Sequence, residues 1–179
     1  MELIVPFPDP TDHLEIDPSA YISPHAVVSG SVRIGGHSSV WPLTVIRGDK
    51  GEIRIGARCN IQDGCILHAD PDAYLTIGDA VSLGHGAIVH GCTVEDEVLI
   101  GMGAVVLNHA VIGAGSLVAA RALVTEGMVV PPGSMVVGIP GKVRPLDPRH
   151  LERIRRTAQN YVELKNEYQR MAARDKGTV

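Results

Sequence analysis

The chain has 179 residues, of which 45% are hydrophobic, and it carries a net charge of −4. This length and apolar content suffice for one domain with a continuous core, and the negative charge argues against nucleic acid as a partner. Residues 1–10 contain neither a basic segment nor a long apolar run, and no 18-residue apolar span follows. We therefore expect a cytoplasmic protein without a signal peptide or a membrane helix.

Aromatic residues are scarce, at 3% of the chain, with one Trp and one Phe. This scarcity favours a narrow interior of Ile, Val and Leu, in which large rings do not fit. The 20 Gly and 12 Pro are spread along the chain, which indicates many tight turns rather than disorder. The cysteines form no C-x-x-C metal motif, and we interpret Cys59 and Cys65 as small buried side chains.

Residues 1–15 contain three prolines and several polar side chains, and we expect them to cross the first coil as an extended cap. From Ile16 to Val136 an aliphatic residue then returns every six positions, with few breaks. A small residue usually lies two places before each aliphatic, and side chains two places apart point to the same side of a strand. A fixed short period of this kind is typical of a β-solenoid, which we place at residues 16–146 of a mainly β fold.

The six-residue count is broken at three places. Three extra residues lie within residues 47–54, four lie within residues 69–76, and one is missing between Val89 and Val94. We expect the insertions to be loops that project from corners of the solenoid, where such folds commonly place function. The prolines of residues 130–145 predict the end of strand pairing.

The last segment has the pattern of a helix. Asp147 and Pro148 suit an N-cap and a first helical residue. Apolar residues follow at spacings of three and four as far as Met171, which gives one apolar stripe. We predict a helix over residues 147–173 that covers the solenoid of its own chain or of a neighbour, with the whole chain forming one domain.

The repeat places two histidines above one another. If three six-residue strands make one coil, residues 18 apart stack, and the two insertions lengthen the corresponding steps. Three inward aliphatics then share one column: Ile46, Leu67 and Val89. The residues that follow them form an outward column: Arg47, His68 and His90. Because neighbouring strands lie about 4.8 Å apart, the two imidazoles can bind one metal ion.

A third histidine, His85, follows Leu83 on the preceding face, so a corner separates it from His90. It is poorly placed to join the same ion within one chain, but a second copy docked side by side could present it. Cyclic closure around a triangular prism favours three copies. We therefore predict His68, His85 and His90 as metal ligands shared across the interfaces of a homotrimer.

Further motifs accompany the histidines: R-G-D at residues 47–49, N-I-Q at residues 60–62 and H-x-x-x-x-H at residues 85–90. With the hexapeptide repeats they resemble the γ-class carbonic anhydrases and their shorter bacterial homologues, over about residues 16–170. The resemblance implies a left-handed parallel β-helix with a C-terminal helix. It also implies a homotrimer with zinc, or in some cases ferrous iron or cobalt, at each subunit interface.

The resemblance also implies roles for individual residues. His68 and His90 would come from one subunit and His85 from its neighbour. Arg47 and Asp49 resemble a pair that forms an intersubunit salt bridge in the family.

Three more positions match residues that line the family's active site. Gln62 would hold the metal-bound hydroxide or orient carbon dioxide, and Asn60 would support it. Tyr161 is the candidate for a tyrosine that the C-terminal helix contributes. The implied reaction is the reversible hydration of carbon dioxide, a small-molecule substrate, to bicarbonate.

Other functions stay open at this point. Where archaeal members carry glutamates for proton transfer, this chain has Lys50 and a short loop with Asp70 and Asp72. A CoA-dependent acyltransferase shares the solenoid and an ending like residues 137–142, and fold alone does not separate the two. A thioesterase and a catalytically weak assembly subunit are further alternatives. The three-histidine arrangement favours the carbonic anhydrase.

Overall fold

The computed structural model describes residues 13–175, with side chains as far as Met171. Within this range short strands follow one another along the chain and a single helix comes last. The elements are β1 (Leu14–Ile16), β2 (Tyr21–Ile22), β3 (Val27–Ile34), β4 (Ser39–Val40), β5 (Val45–Ile55), β6 (Asn60–Ile61), β7 (Ile66–His68), β8 (Leu75–Ile77), β9 (Ser82–Leu83), β10 (Ile88–His90), β11 (Thr93–Val94), β12 (Leu99–Ile100), β13 (Val105–Val106), β14 (Val111–Ile112), β15 (Leu117–Val118), β16 (Leu123–Val124), β17 (Val129–Val130), β18 (Ser134–Val137), β19 (Lys142–Pro145) and α1 (Pro148–Asp175).

The strands wind into a left-handed β-helix with three lateral faces. Face 1 contains the first parts of β3 and β5, then β7, β10, β13 and β16. Face 2 contains β1, the last parts of β3 and β5, then β8, β11, β14 and β17. Face 3 contains β2, β4, β6, β9, β12, β15 and β18, and β19 lies at its end. The predicted mainly β solenoid with a C-terminal helix is confirmed.

The register between coils follows the six-residue count and its insertions. Ile46 pairs with Leu67, and Leu67 pairs with Val89, in parallel strands. All three side chains are buried. The predicted inward column is therefore confirmed, and the insertions shift the chain along a coil without disturbing the stack.

The interior of the solenoid is one aliphatic core without large rings, as the composition predicts. Trp41 is buried as well, but outside this core and next to Tyr161 of α1. Each cysteine side chain is also buried, and burial raises the pKa of each thiol to about 12. The three cysteines are Cys59, Cys65 and Cys92. All three thiols are neutral and act as small side chains that fill the core, as the sequence indicates for Cys59 and Cys65.

Residues 47–54 do not form the expected loop, but their extra residues do lie at a corner. Strand β5 spans Val45–Ile55 and crosses the corner between faces 1 and 2, and its pairing with β3 shifts register between Gly30 and Val32 to take up the insertion. The crossing requires two backbones to approach closely at Gly30 and Gly48. A Cβ on Gly30, whose φ is 81°, would overlap the Gly48 carbonyl group, so glycine is needed there.

The expected end of strand pairing at residues 130–145 is also wrong. Strand β19 folds back and pairs antiparallel with β18. It lies at the end of the face 3 sheet, and Pro145 is its last residue. A proline is tolerated there because an edge strand has no further neighbour that needs its missing N–H group.

Helix α1 packs on β4, β6 and β9, on face 3 of its own solenoid. It begins as predicted, with the Asp147 Oδ1 atom accepting a hydrogen bond of 2.9 Å from the Arg149 N–H group. Ile154 and Ala158 are buried in its apolar stripe. The helix therefore leaves faces 1 and 2 uncovered.

Residues 1–12 lie outside the described residues, and with them most of the predicted cap over residues 1–15. The part that is described forms β1, which pairs with β3 on face 2. The division into a cap, a solenoid over residues 16–146 and a helix over residues 147–173 stays a prediction. Within the described range, no helix combines the length and hydropathy needed to cross a membrane.

Candidate metal centre

Two histidines meet on the outer side of face 1, at the ends of β7 and β10. His68 pairs in register with His90 on one side and with Arg47 on the other, which confirms the predicted outward column. The His68 Nδ1 atom lies 2.8 Å from the His90 Nε2 atom. We call Arg47, His68 and His90 the histidine column.

Asp49 holds the far side of the His68 ring. Its Oδ1 atom lies 2.9 Å from His68 Nε2, and its Oδ2 atom accepts a hydrogen bond of 2.6 Å from Arg47. Burial raises the pKa of Asp49, but the hydrogen bonds from His68 and Arg47 outweigh burial and leave this pKa below the ordinary value. Arg47 and Asp49 thus pair within one chain, and an intersubunit contact stays a prediction.

Asn108 contacts the side of the His90 ring that faces away from His68, a role that was not predicted from the sequence. The Asn108 Nδ2 atom donates to Asp70 Oδ2 at 3.0 Å, and its Oδ1 atom meets His90 Nδ1 at short range. The residue missing after Val89 shortens the step between neighbouring coils to 17, so counting in register from His90 leads to Leu107 and passes over Asn108. A step of 18 residues, without allowance for the missing residue, leads from His90 to Asn108.

These contacts fix the protons of both rings. A carboxylate only accepts hydrogen bonds, so the His68 Nε2 atom that faces Asp49 carries a proton. The Asn108 amide must turn its Nδ2 atom to Asp70, so its Oδ1 atom faces His90 Nδ1 and requires a proton there. When both rings are neutral, their remaining nitrogens carry only lone pairs.

The facing nitrogens of His68 and His90 suit a cation. Two lone pairs that face each other at 2.8 Å repel one another, and either a proton shared by the two rings or a metal ion bound by both relieves the repulsion. Imidazole nitrogens are common ligands of zinc and other transition metals. An Asp70 carboxylate oxygen also lies within 4.8 Å of donor atoms of the two rings. The donor set therefore fits a metal ion.

His85 does not reach this cluster within the chain. It lies in the turn between β9 on face 3 and β10 on face 1, and its side chain is 49% exposed. Its Nδ1 atom lies 3.0 Å from Asp63 Oδ2. The width of face 1 separates it from His68 and His90, in agreement with the corner predicted from the sequence.

The remaining predicted residues gather on the His85 side. Gln62 Nε2 donates to Asn60 Oδ1 at 2.9 Å, and Asn60 Nδ2 donates to Ser82 Oγ at 2.7 Å, which fixes both amides. Gln62, His85 and Tyr161 line one cleft of about 380 Å³ between face 3 and α1. Burial, and then the charge of Asp63, raise the pKa of the Tyr161 phenol. We call this space the glutamine cleft.

Apart from the histidine column, the outer side of face 1 carries an apolar column that was not predicted from the sequence. Six aliphatic residues stand in register between the glutamine cleft and the histidine column: Val27, Val45, Ile66, Ile88, Val105 and Leu123. We call them the aliphatic stripe; Ile66 and Ile88 are 46% and 36% exposed. On face 2 the corresponding positions are largely polar: Glu15, Arg33, Arg54, Thr76, Thr93, Val111 and Val129. The sequence contains a signal for this stripe, because the residue before each inward aliphatic of face 1 is itself aliphatic.

Relatives of known name share most of this chain. A probable carbonic anhydrase of Methanocaldococcus jannaschii is 51% identical over 150 residues, which are 83% of this chain and 94% of that protein. A carbonic anhydrase of Geobacillus kaustophilus is 47% identical, over 83% of this chain and 82% of that protein. The mitochondrial gamma carbonic anhydrase 2 of Arabidopsis thaliana is 38% identical, over 83% of this chain and 56% of that protein.

A solved structure gives the same fold. A Bacillus cereus protein, provisionally described as an acetyltransferase, superposes with a TM-score of 0.89 at 37% identity. The match covers 93% of this chain and 96% of that one. No family model matches the chain.

Proposed function

Because this chain belongs to the γ-class carbonic anhydrase family, we propose that it catalyses the reversible hydration of carbon dioxide to bicarbonate at a metal site between the subunits of a homotrimer. The observation that carries the proposal is the pair of facing nitrogens in the histidine column, 2.8 Å apart and each free of a proton on that side when the rings are neutral. His68 and His90 of one copy would hold the metal together with His85 of a neighbouring copy.

The metal would supply the nucleophile. Zinc held by three neutral imidazoles lowers the pKa of a bound water to about 7, as is known for carbonic anhydrases. Zinc, ferrous iron and cobalt all accept imidazole ligands.

The chain's own residues prepare the site for carbon dioxide. The side-chain amide of Gln62 is fixed by Asn60, so it can orient a substrate or a nucleophile without first losing freedom of rotation. Asp49 keeps the proton of His68 on the nitrogen away from the metal. Tyr161 lies in the same cleft as Gln62 and His85 and would form part of its wall.

The aliphatic stripe supports a second copy of the chain as the partner. An apolar column that the described helix does not cover favours burial against protein. Its two edges carry the two halves of the proposed site, the glutamine cleft and the histidine column. A neighbour that covers face 1 would bring its own His85 close to His68 and His90, and threefold cyclic symmetry repeats this contact three times.

Metal content and carbon dioxide hydration test the proposal together. Protein purified without oxygen should contain metal in a one-to-one ratio to chains, and chelation should abolish hydration measured with a pH indicator in a stopped-flow instrument. His68→Ala and His90→Ala should each lose both metal and activity. His37→Asn is the matched control, because it removes an exposed histidine at a turn with φ of 59°, which asparagine tolerates. Wild-type protein that binds metal but does not hydrate carbon dioxide would contradict the proposed reaction.

Mixed oligomers test the shared site. Co-expressed His85→Ala and His68→Ala chains should regain metal and activity, because one kind of interface then receives all three histidines. Co-expressed His68→Ala and His90→Ala chains form the control, since their lesions lie on the same side of the interface and no complete site results. Recovery in the control pair, or none in the test pair, would contradict a site shared between subunits.

Acyl transfer or thioester hydrolysis is the second candidate. It is favoured by the apolar wall of the glutamine cleft, which includes Leu99, Met102, Leu117 and Met135 and could accept an acyl or pantetheine chain. It is also favoured by the similarity to the Bacillus cereus protein. Release of free thiol from acetyl-CoA, followed with a thiol reagent, distinguishes this activity from hydration of carbon dioxide. Metal without either activity would favour an assembly role.

A further inference from the structure

We propose that Asp70 and Asn108 act as a positioning pair that holds His90 in its Nδ1–H form, with the Nε2 atom left as the metal-binding nitrogen. Neither residue belongs to the motifs that carry the family resemblance. The protonation of His90 can be measured without metal, whereas the consequence for metal binding rests on the proposed function.

The geometry allows one arrangement of the three side chains. The Asp70 carboxylate accepts from the Asn108 amide at 3.0 Å, so the amide nitrogen points to Asp70. The amide oxygen therefore points to His90 Nδ1 and accepts its proton. Without the carboxylate, the Asn108 amide could turn over and donate to Nδ1. The His90 proton would then move to Nε2, which removes the lone pair that a metal needs.

The lack of a side chain at Gly91 leaves space for the Asn108 amide. Gly91 follows His90, and a Cβ built there would lie 2.6 Å from Asn108 Oδ1, well inside contact distance. A side chain at this position would therefore displace the Asn108 amide. Glycine at position 91 keeps the amide against the His90 ring.

The loop that carries Asp70 is fixed as well. Asp70 and Ala73 exchange two backbone hydrogen bonds of 3.1 Å each, which closes a tight turn. This turn lies within the four-residue insertion at residues 69–76. The insertion therefore places the Asp70 carboxylate beside Asn108.

Direct ligation by Asp70 is the competing explanation, since its carboxylate lies within 4.8 Å of donor atoms of both rings. The two explanations differ in the consequence of Asp70→Asn. An asparagine there can still accept from Asn108 through its own oxygen, but a neutral amide is a poor substitute for a carboxylate ligand. They also differ at Asn108, which only the positioning role requires.

The experiment compares Asn108→Ala, Asp70→Ala and Asp70→Asn with wild type and with Asp72→Ala, which removes a neighbouring exposed carboxylate of the same loop. In metal-free protein, at a pH at which both imidazoles are neutral, ¹⁵N-detected imidazole spectra should show His90 as the Nδ1–H form in wild type, Asp70→Asn and Asp72→Ala. The other two variants should show a mixture or the Nε2–H form. Circular dichroism checks that every variant is folded.

Cobalt affinity, measured by competition with a chelator, gives the second readout. Asn108→Ala and Asp70→Ala should each weaken binding by about 10- to 100-fold, as is usual for a lost hydrogen-bond partner of a ligating histidine. The double variant should lose no more than either single variant, because both act through one contact chain. Asp70→Asn and Asp72→Ala should stay close to wild type.

Two results would overturn the positioning role. The first is an unchanged His90 spectrum in Asn108→Ala. The second is a loss of affinity in Asp70→Asn as large as in Asp70→Ala, which would assign Asp70 as a ligand. If wild-type protein binds no cobalt, the proposed function fails, while the imidazole spectra of metal-free protein still decide the positioning role.

Discussion

In each imidazole of the histidine column, the nitrogen that faces away from the other ring makes a hydrogen bond, and this bond decides whether the nitrogen facing the other ring can bind a cation. Asp49 acts directly on His68, whereas Asp70 acts on His90 through the Asn108 amide. Both arrangements leave the facing nitrogens, His68 Nδ1 and His90 Nε2, able to bind a cation. The chemical capacity of the site therefore depends on acceptors that are not themselves among the predicted metal ligands.

Lys165 of α1 shows how burial acts on a cation. Its side chain is 2% exposed, and its Nζ atom donates to the Ser19 carbonyl at 2.8 Å and to Gln169 Oε1 at 3.3 Å. Burial lowers the pKa of Lys165. The unfolded chain therefore binds more protons than the folded chain over the range just below the ordinary lysine pKa, and stability contributed by this group rises with pH there.

We predict that this pH dependence disappears in Lys165→Met. Urea unfolding of wild type between about pH 7 and about pH 10 should show a gain in stability relative to the variant as the pH rises, because the ordinary lysine pKa is about 10.4. Lys142→Met, which removes an exposed lysine, should follow the wild-type curve. Parallel curves for wild type and Lys165→Met would show that burial of the charge has no energetic consequence.

At the scale of elements, the helix is attached to the solenoid by aromatic rings that the narrow interior excludes. Trp41 follows β4 on face 3, and its ring centroid lies 5.4 Å from Tyr161 and 5.1 Å from Tyr168, both nearly perpendicular to it. Its Nε1 atom donates to Ser39 Oγ at 3.0 Å, so its polar group is satisfied despite burial. The ring thus joins the coil that carries it to the C-terminal helix.

Trp41→Ala should therefore detach α1 before the solenoid unfolds. Removing a buried tryptophan costs about 3–5 kcal/mol, and here the loss falls on the contact between the helix and face 3. The helical signal in far-ultraviolet circular dichroism should melt at a lower temperature than the β signal. Val129→Ala is the control, because this side chain is 67% exposed and its truncation should change stability by less than about 0.5 kcal/mol. Simultaneous melting of both signals in Trp41→Ala would contradict this assignment.

At the scale of the whole molecule, each lateral face has a different outer surface. Face 3 is covered by α1, face 2 is largely polar outside, and face 1 carries the aliphatic stripe. The difference does not arise from the core, since the inward columns of all three faces are aliphatic. It arises from the alternate residues of the same strands, which are free to differ.

Ile88→Lys should dissociate the proposed trimer, because it places a charge in the centre of the stripe. Light scattering coupled to size exclusion should report the mass of one chain, and cobalt binding should weaken with the loss of the third ligand. Thr93→Lys makes the same charge at an exposed outward position of face 2 and should leave the trimer intact. A trimer that persists in Ile88→Lys, or dissociates in Thr93→Lys, would place the interface elsewhere.

The sequence by itself determined the solenoid, the stack of its coils and the meeting of His68 with His90. These follow from a six-residue period and two counted insertions, since parallel strands of fixed spacing convert residue number directly into position. The same reasoning indicated that His85 stays on another face.

Only the tertiary structure decided that β5 continues through the corner and that β19 folds back to pair with β18. It also decided that α1 packs on face 3 of its own chain and that Asn108 and Asp70 lie beside His90. These features depend on how a corner or an insertion is closed in three dimensions. Periodicity counts residues along a strand, but it contains no information about the direction a chain takes once the period is broken, because turns and side-chain contacts are governed by local packing and hydrogen bonding instead.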